Sequence, residues 1–276
     1  MSMTHPLPDP PPPREIAPNV FWLGGCLQDT LRGVAIHNHV APFLIIGDDA
    51  SVLVDTGFPS HWQAVSEQLD SLLDGRQLNW LIPTHSELPH AGNLGRLLEK
   101  FEEARLVGDL ADYHLYYPES TDRFVAWPKE RPLKLGGGYE VLLLPAPIRD
   151  LSRTQWLYEA SQKVLFVGDG FAYTHAPADG PLGEPGHSPG QCRLLSSELP
   201  KRPTPADAVL VTQNALAWAQ LVDAEAIRDE VRRLMERYEP KLVAPGHGNV
   251  IDEPHDLEQV IFDAFRIVFE EYAGAT

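Results

Sequence analysis

Four short polar segments, each placed directly after an apolar run typical of a buried strand, constrain the fold of this chain more than any other feature. The segments HSELPH, PIRDLS, GDGF and PGHG follow the runs NWLIPT, YEVLLLPA, KVLFV and KLVA. Polar sites in layered α/β domains lie on loops that leave the strands, so side chains from distant parts of the chain can meet at one end of the sheets. The sequence therefore predicts a layered α/β domain with a polar site at the strand ends.

Helices are predicted between these strands. Residues 60–74 carry apolar side chains at helical spacing, Ser60 and Gln63 have the spacing of a capping box, and Gly75 provides a stop. A second helix is predicted over 93–101, and further helices flank the strand KLVAPGHG. The runs YEVLLLPAP, TQWLYEA and KVLFVGDG are typical of neighbouring strands in a second sheet.

The chain of 276 residues is predicted to form one large domain over 19–276. The proline-rich opening over 1–18 is expected to be a flexible arm, because proline joins neither a helix interior nor a central strand. The loop-like stretch 172–205 is predicted to be a lid or a binding loop, since long irregular loops in compact domains usually have such roles.

Composition argues against several classes of partner. The formal net charge of −17 and the lack of a Lys/Arg cluster argue against binding to nucleic acid. The chain has no apolar run of the roughly 18 residues that a membrane span needs, and its opening has no signal-peptide pattern. Cys26 and Cys192 lie far apart, which argues against a disulfide framework, so a reducing cytoplasm is the expected location.

The polar segments supply a set of candidate metal ligands. Imidazole and carboxylate groups bind divalent transition metals, and their joint occurrence after strands strengthens the case for each residue. His85 and His90 do not have the spacing of the helical His-Glu-x-x-His zinc motif. Histidines without such a context, including His61 and His175, are expected at the surface. The candidate ligands are His85, Glu87, His90, Asp150, Asp169 and His247.

With these segments the chain resembles the metallo-β-lactamase superfamily, and within it most nearly the diiron domain of the flavodiiron proteins. The matching motifs are LVDTG at 53–57, HSELPH, PIRD, LFVGD and PGHG, in that order, and the resemblance covers roughly 20–276. It implies a four-layer αβ/βα sandwich. Glu87 points to the diiron branch, because most hydrolases of the superfamily have histidine at this position.

The resemblance also implies two iron ions and a division of the ligands between them, with zinc or manganese as the alternative metals. The first ion would be held by His85, Glu87, Asp150 and Asp169. That set is rich in carboxylates, which suits iron or manganese better than zinc. The second ion would be held by His90, His247 and the bridging Asp169.

Two residues depart from the family pattern. Pro89 stands where the family has an aspartate, and Asp150 stands where it has a histidine. The second ion thus loses a ligand, so we expect that site to be weak, to be empty, or to be completed by another residue or by water. Asp55 in the segment VDTG is, by the same resemblance, a carboxylate that lies near the site and supports it.

The segment AIHNHVAPFLI supplies two further candidates. His37 and His39 alternate along a strand and therefore share one face, which we expect to look into the pocket. Either can act as a catalytic base that faces the substrate or as a replacement ligand. Alternatively, both residues are loop histidines that are exposed or hydrogen-bonded and have no role in the site.

Three functions follow from these features. A bridged metal pair can activate water for hydrolysis or, with iron, react with dioxygen. The anionic donors Glu87 and Asp150 favour iron redox chemistry, so we prefer an oxidase-like or oxygenase-like reaction of a small molecule with dioxygen. A hydrolase and an oxygen-binding sensor are the alternatives. No FMN site is expected in this chain, so electrons would come from a separate donor or from the substrate, and the resemblance implies a homodimer.

Overall fold

Two packed β-sheets form the centre of the protein, for which a computed structural model describes residues 13–110, 112–175 and 193–275. The strands in these ranges are β1 (Arg14–Ala17), β2 (Val20–Trp22), β3 (Gly25–Leu31), β4 (Val34–Val40), β5 (Phe43–Ile46), β6 (Ser51–Val54), β7 (Trp80–Ile82), β8 (Arg105–Gly108), β9 (Phe124–Ala126), β10 (Leu133–Gly136), β11 (Tyr139–Pro145), β12 (Gln155–Glu159), β13 (Val164–Gly168) and β14 (Leu242–Pro245).

The order of the strands brings several carboxyl ends to the same edge. The first sheet has the order β1-β2-β5-β6-β7-β8-β9, and the second has the order β10-β11-β12-β13-β14. In the first sheet β6, β7, β8 and β9 run parallel, and in the second β13 and β14 run parallel. The prediction that YEVLLLPAP, TQWLYEA and KVLFVGDG form neighbouring strands is confirmed, since they are β11, β12 and β13.

Helices cover the outer face of each sheet. They are α1 (Trp62–Leu73), α2 (Leu88–Ala91), α3 (Leu94–Lys100), α4 (Tyr113–Tyr116), α5 (Pro205–Asn214), α6 (Ala224–Tyr238) and α7 (Pro254–Ala275), with 3-10 turns at Pro59–His61, Pro118–Arg123, Ser196–Glu198 and Ala217–Leu221. The apolar faces of α1 and α3 pack on the first sheet, and those of α5, α6 and α7 pack on the second.

A third apolar cluster fills the space between the sheets. Phe43 from β5 and Phe166 from β13 meet there, with ring centroids 5.3 Å apart, and both are almost fully buried. Burying a side chain of this size stabilises the fold by about 1.5–3 kcal/mol. The resulting order of helix, sheet, sheet and helix is the four-layer αβ/βα sandwich that the sequence predicts.

A two-stranded hairpin of β3 and β4 lies next to this sandwich. Its strands pair over their full length, with Cys26 directly opposite His39. The backbone of His37 exchanges hydrogen bonds of 2.8 and 2.9 Å with that of His175, and the amide of Ala41 donates to the carbonyl of Gly246 at 3.0 Å. These bonds fix the hairpin to the loop after β13 and to the loop after β14.

The predicted flexible arm over 1–18 ends earlier than expected, because the first sheet begins within it. Residues 14–17 form β1 and pair with β2, so the ordered domain begins before residue 19. The uninterrupted prolines end at Pro13, and the residues that follow have free backbone amides for pairing. Residues 1–12 lie outside the described ranges.

Two other local predictions can be compared with the structure. The helix predicted over 60–74 is present as α1, but the capping box is wrong: His61 is the N-cap and no side chain caps this end. Ser60 cannot cap because it already lies inside the 3-10 turn that Pro59 begins. Of the lid predicted over 172–205, residues 176–192 lie outside the described ranges, so the lid stays a prediction.

Candidate metal centre

The candidate ligands lie after strands of both sheets, at the edge where the parallel strands end. From the first sheet come His85, which follows β7, Glu87, which is the N-cap residue of α2, and His90, which lies within α2. From the second sheet come Asp150 after β11, Asp169 after β13 and His247 after β14. Both sheets are therefore needed to build the site.

The carboxylate of Asp169 lies between His85 on one side and His90 and His247 on the other. Its Oδ1 lies 3.1 Å from Nε2 of His90 and 3.5 Å from Nε2 of His247. Its other oxygen, Oδ2, faces His85 Nε2 at 3.9 Å. Asp169 is only 3% exposed. Each of its two oxygens could therefore bind one of two adjacent metal ions without competition from bulk water.

Around His85 the donors are mainly carboxylates. Nε2 of His85 lies 3.4 Å from Oδ2 of Asp150 and 3.7 Å from Oε2 of Glu87. One ligand atom from each of four residues falls within 4.8 Å of all the others, and these residues are His85, Glu87, His90 and Asp169. The carboxylates of Asp150 and Glu87 both approach Nε2 of His85. A bound cation would reduce the electrostatic repulsion between these negative charges.

Two buried atoms of this cluster test whether a metal fits. Within the described residues, Nε2 of His85 and Oδ2 of Asp169 are shielded from solvent and have no hydrogen-bond partner. Leaving a buried polar atom unsatisfied costs about 1–3 kcal/mol. Both atoms point at the space enclosed by the carboxylates, so the donor set fits a divalent transition metal.

Asp55 orients one of the imidazoles, consistent with a supporting role. Nδ1 of His90 donates to Oδ2 of Asp55 at 2.8 Å, and the amide of Thr84 donates to Oδ1 at 2.6 Å. A carboxylate in this position fixes the tautomer and the direction of a metal-binding imidazole. His90 thus presents Nε2 towards Asp169.

The hairpin contacts the site through a backbone atom. Nδ1 of His247 donates to the carbonyl oxygen of His39 at 2.8 Å, which leaves Nε2 directed at Asp169. The rings of His37 and His39 are buried, 5.8 Å apart between centroids, and the ring of His39 lies 5.6 Å from that of Trp22. Their grouping is with Cys26 rather than with the ligand cluster around Asp169.

The prediction that His61 lies at the surface is wrong. It is 5% exposed, and its Nε2 donates to the carbonyl oxygen of Cys26 at 3.1 Å. His175 is half-buried, and its Nε2 donates to Oδ1 of Asn249 at 2.6 Å. Neither contact leaves a local sequence signal, since both partners are distant in the chain.

Pro89 has a structural role at the position where a ligand was expected. It occupies the first turn of α2, with Glu87 as the extended N-cap residue. Proline is favoured there because its ring already has a helical φ and its missing amide is not needed. The side chain at this position has no donor atom, and the expectation that the group of His90, Asp169 and His247 lacks one protein ligand stays a prediction.

The charges of the cluster set its protonation. Burial opposes a charged His90, yet the carboxylates of Asp55 and Asp169 outweigh it and raise the pKa of His90 well above its usual range. Burial also opposes a charged Asp169, but the neighbouring His90 keeps the pKa of that carboxyl below its usual range. Burial lowers the pKa of His247. Without a metal, these two carboxylates therefore favour the charged form of His90, in which both ring nitrogens carry a proton.

Metal affinity is expected to rise with pH up to the raised pKa of His90, because an ion must displace the proton on Nε2. Each displaced proton changes the apparent affinity by about tenfold per pH unit. Chelator competition at several pH values, with proton release measured in the same titrations, checks this. A pH-independent affinity between about pH 6 and 8 would contradict the proton assignment.

Gly246 allows the loop after β14 to pass close to His90. A Cβ at this position would lie 2.5 Å from Cε1 of the His90 ring and 3.4 Å from the carbonyl oxygen of Gly168. Gly246→Ala is therefore expected to displace the imidazole, to cost about 1–3 kcal/mol of unfolding free energy and to weaken one metal position. Thermal melts and metal titrations measure both effects. Gly274→Ala is the matched control, because a Cβ there meets no atom within 4 Å.

A cavity of about 440 Å³ opens beside one candidate ligand. Asp150 is part of its wall, together with Arg149, Leu151, Trp218 and Glu230. The indole Nε1 of Trp218 donates to the carbonyl oxygen of Arg149 at 2.6 Å and so holds this wall in place. The volume lies in the range of roughly 300–1,000 Å³ that is common for small-molecule sites.

A four-layer sandwich with imidazoles and carboxylates gathered at the strand ends defines a class of metal-binding α/β proteins. Within that class, the chain belongs to the metallo-beta-lactamase superfamily, whose family model matches residues 37–247. Asp55, His85, Glu87, His90, Asp150, Asp169 and His247 all fall inside the matched range.

Flavodiiron proteins are among the relatives. The anaerobic nitric oxide reductase flavorubredoxin of Salmonella arizonae is 24% identical over 168 residues, which are 55% of this chain and 34% of that protein. The flavodiiron protein of Giardia intestinalis matches 96% of this chain and 59% of its own, with 18% identity and a TM-score of 0.67.

A third relative is the rubredoxin oxygen:oxidoreductase of Desulfovibrio gigas, which matches 95% of this chain and 61% of its own, with 18% identity and a TM-score of 0.62. At these identities the solved structures show a shared fold. The chain spans about a third of the curated relatives it matches and about three fifths of these two solved chains. Within the described residues, no helix is both long and apolar enough to cross a bilayer.

Proposed function

We propose that this protein is a non-haem diiron oxidoreductase that acts on a small molecule with dioxygen. The observation that carries the proposal is the placement of Asp169. One oxygen of this carboxylate faces His90 and His247, and the other faces His85. A carboxylate shared in this way suits a pair of adjacent ions.

The donor types favour iron. The space in front of His85 is bordered by the carboxylates of Glu87, Asp150 and Asp169. Hard anionic oxygen donors suit iron or manganese, whereas structural zinc sites favour thiolate and imidazole. The first ion would be held by His85, Glu87, Asp150 and Asp169. The second ion would be held by His90, His247 and Asp169, with a position left for solvent because Pro89 supplies no ligand.

When bound, the two iron ions would supply a redox couple that passes electrons to dioxygen and takes them up again from the substrate or a separate donor. The chain's own residues hold the ligands and exclude water: His85, His90 and Asp169 are each at most 3% exposed. Asp55 fixes the ring of His90, and the carbonyl of His39 fixes that of His247. The cavity beside Asp150 is the proposed place for an organic substrate.

Electrons would come from the substrate or from a separate donor protein. The names of two relatives support a redox role, because one couples rubredoxin with oxygen and the other is a nitric oxide reductase. A homodimer, as the family resemblance implies, belongs to the same proposal.

Anaerobic loading with Fe(II), followed by exposure to oxygen, tests the proposal. We expect close to two iron ions per chain by mass spectrometry, a visible absorption band of oxidised non-haem iron, and oxygen consumption when a reductant is added. Two zinc ions with no response to oxygen would overturn it in favour of a metal-dependent hydrolase. Reversible oxygen binding without consumption would favour a sensor.

Glu87→His separates the redox function from the hydrolytic one. The side chain of Glu87 is half-exposed and lies 3.7 Å from His85 Nε2, so a histidine has room to replace it. We expect oxygen consumption to fall by about tenfold or more, because a neutral donor replaces an anionic one. A hydrolase of this superfamily would tolerate the change. Glu99→His, on the exposed face of α3, is the matched control.

A further inference from the structure

We propose that Cys26, His37 and His39 form a zinc site of their own, separate from the centre around Asp169. One ligand atom from each of the three residues lies within 4.8 Å of the other two. All three side chains are buried, at 6%, 3% and 2% exposure. A thiol and two imidazoles are the donor types that zinc prefers.

The hairpin places these donors by its register. Cys26 on β3 pairs directly with His39 on β4, and directly paired residues have side chains on the same face of a sheet. His37 lies two residues before His39, and the period of a strand is two, so its side chain shares that face. The cluster therefore follows from strand pairing and does not depend on an irregular loop.

The distances suit one tetrahedral ion. Zinc bonds to sulfur at about 2.3 Å and to imidazole nitrogen at about 2.0–2.1 Å, so ligand atoms in such a site lie roughly 3.5 Å apart. Donors within 4.8 Å of one another reach that spacing by small side-chain rotations. Three protein ligands leave a fourth position for water or another group.

Neighbouring residues hold the backbone of the ligands in place. The imidazole of His61 donates to the carbonyl oxygen of Cys26 at 3.1 Å, and the backbone of His175 forms two hydrogen bonds with that of His37. The ring of Trp22 lies 5.6 Å from that of His39. This gives both strands a fixed position and covers one side of the cluster with an aromatic ring.

The proposed site differs in chemistry from the centre around Asp169. That centre is built from imidazoles and carboxylates, and the hairpin cluster adds a thiolate, which selects softer metals. The two are connected by one bond, because the carbonyl oxygen of His39 accepts from Nδ1 of His247. An ion bound by the ring of His39 would thus also restrain a residue of the neighbouring centre.

Cobalt(II) titration of the iron-loaded full chain tests the zinc site, since a cobalt–thiolate bond gives a charge-transfer band in the near ultraviolet. Among the described residues, the centre around Asp169 contains no cysteine, so we expect this band to report the hairpin cluster. We expect one equivalent of cobalt to produce the band and one equivalent of zinc to remove it. Cys26→Ser is expected to abolish the band, and Cys192→Ser, the other cysteine of the chain, to retain it.

His37→Gln provides a second variant that keeps the thiol. Loss of a ligand should weaken cobalt binding by more than the roughly 10- to 100-fold that follows the loss of an outer contact. His255→Gln, an exposed histidine on α7, is the control. The absence of the band in the wild-type protein, or its persistence in Cys26→Ser, would overturn the proposal. Because iron content is measured on the same samples, failure of the zinc site is distinguishable from failure of the diiron site.

Discussion

Asp169→Asn is expected to abolish the binding of both metal ions and all oxygen consumption. The substitution preserves the shape of the side chain but removes the negative charge that His85, His90 and His247 surround. Losing a shared carboxylate affects both positions at once, so we expect metal content to fall from about two ions per chain to nearly none. Mass spectrometry of the purified protein, reloaded with Fe(II) under anaerobic conditions, measures the result.

The control for Asp169→Asn is the same change at an exposed carboxylate. Asp70 lies on α1 and pairs with Lys100 at the surface, at 2.7 Å, so Asp70→Asn should leave metal content unchanged. Circular dichroism of both variants shows whether the sandwich is intact. Retention of one full equivalent of iron by folded Asp169→Asn would show that this carboxylate serves only one position.

Asp150→Ala is expected to remove one ion and leave the other. The carboxylate of Asp150 contacts the His85 side of the cluster, whereas His90 and His247 face the opposite oxygen of Asp169. Metal content should therefore fall by about one ion per chain, and oxygen consumption should fall by about 100-fold or more, because the reaction needs both ions.

Asp150→His provides the rescue. The resemblance to the flavodiiron proteins places a histidine at this position, so the variant should keep both ions and recover a large part of the activity. Asp122→Ala, at an exposed carboxylate of the 3-10 turn Pro118–Arg123, is the control. Unchanged metal content in Asp150→Ala would mean that another side chain holds the first ion.

The sandwich was predictable because its signals are local. Strand runs such as KVLFV and the helix at Trp62–Leu73 each carry a repeating apolar pattern, and the structure confirms both. The gathering of polar residues at the strand ends also followed from the sequence, since each segment stands directly after a strand. The start of the first sheet could not be predicted from the sequence, because β1 has only four residues and depends on its pairing with β2.

The hairpin cluster shows why other parts of the site were not predictable. The sequence indicates that His37 and His39 share a face, but not that Cys26 lies opposite His39, because that depends on the register between β3 and β4. The burial of His61 likewise depends on a residue 35 positions away in the chain. In both cases the deciding contact is formed by tertiary packing, and no short motif encodes it.

Because the candidate ligands are divided between the two sheets, a bound ion would act as a noncovalent crosslink between the two halves of the protein. Only the assembled fold brings His85 and His90 within reach of Asp169. A ligand that binds only the folded state adds about 2.7 kcal/mol to the free energy of unfolding at 100 times its dissociation constant. The melting temperature would then report iron availability, and a cell short of iron would hold a less durable form of the protein.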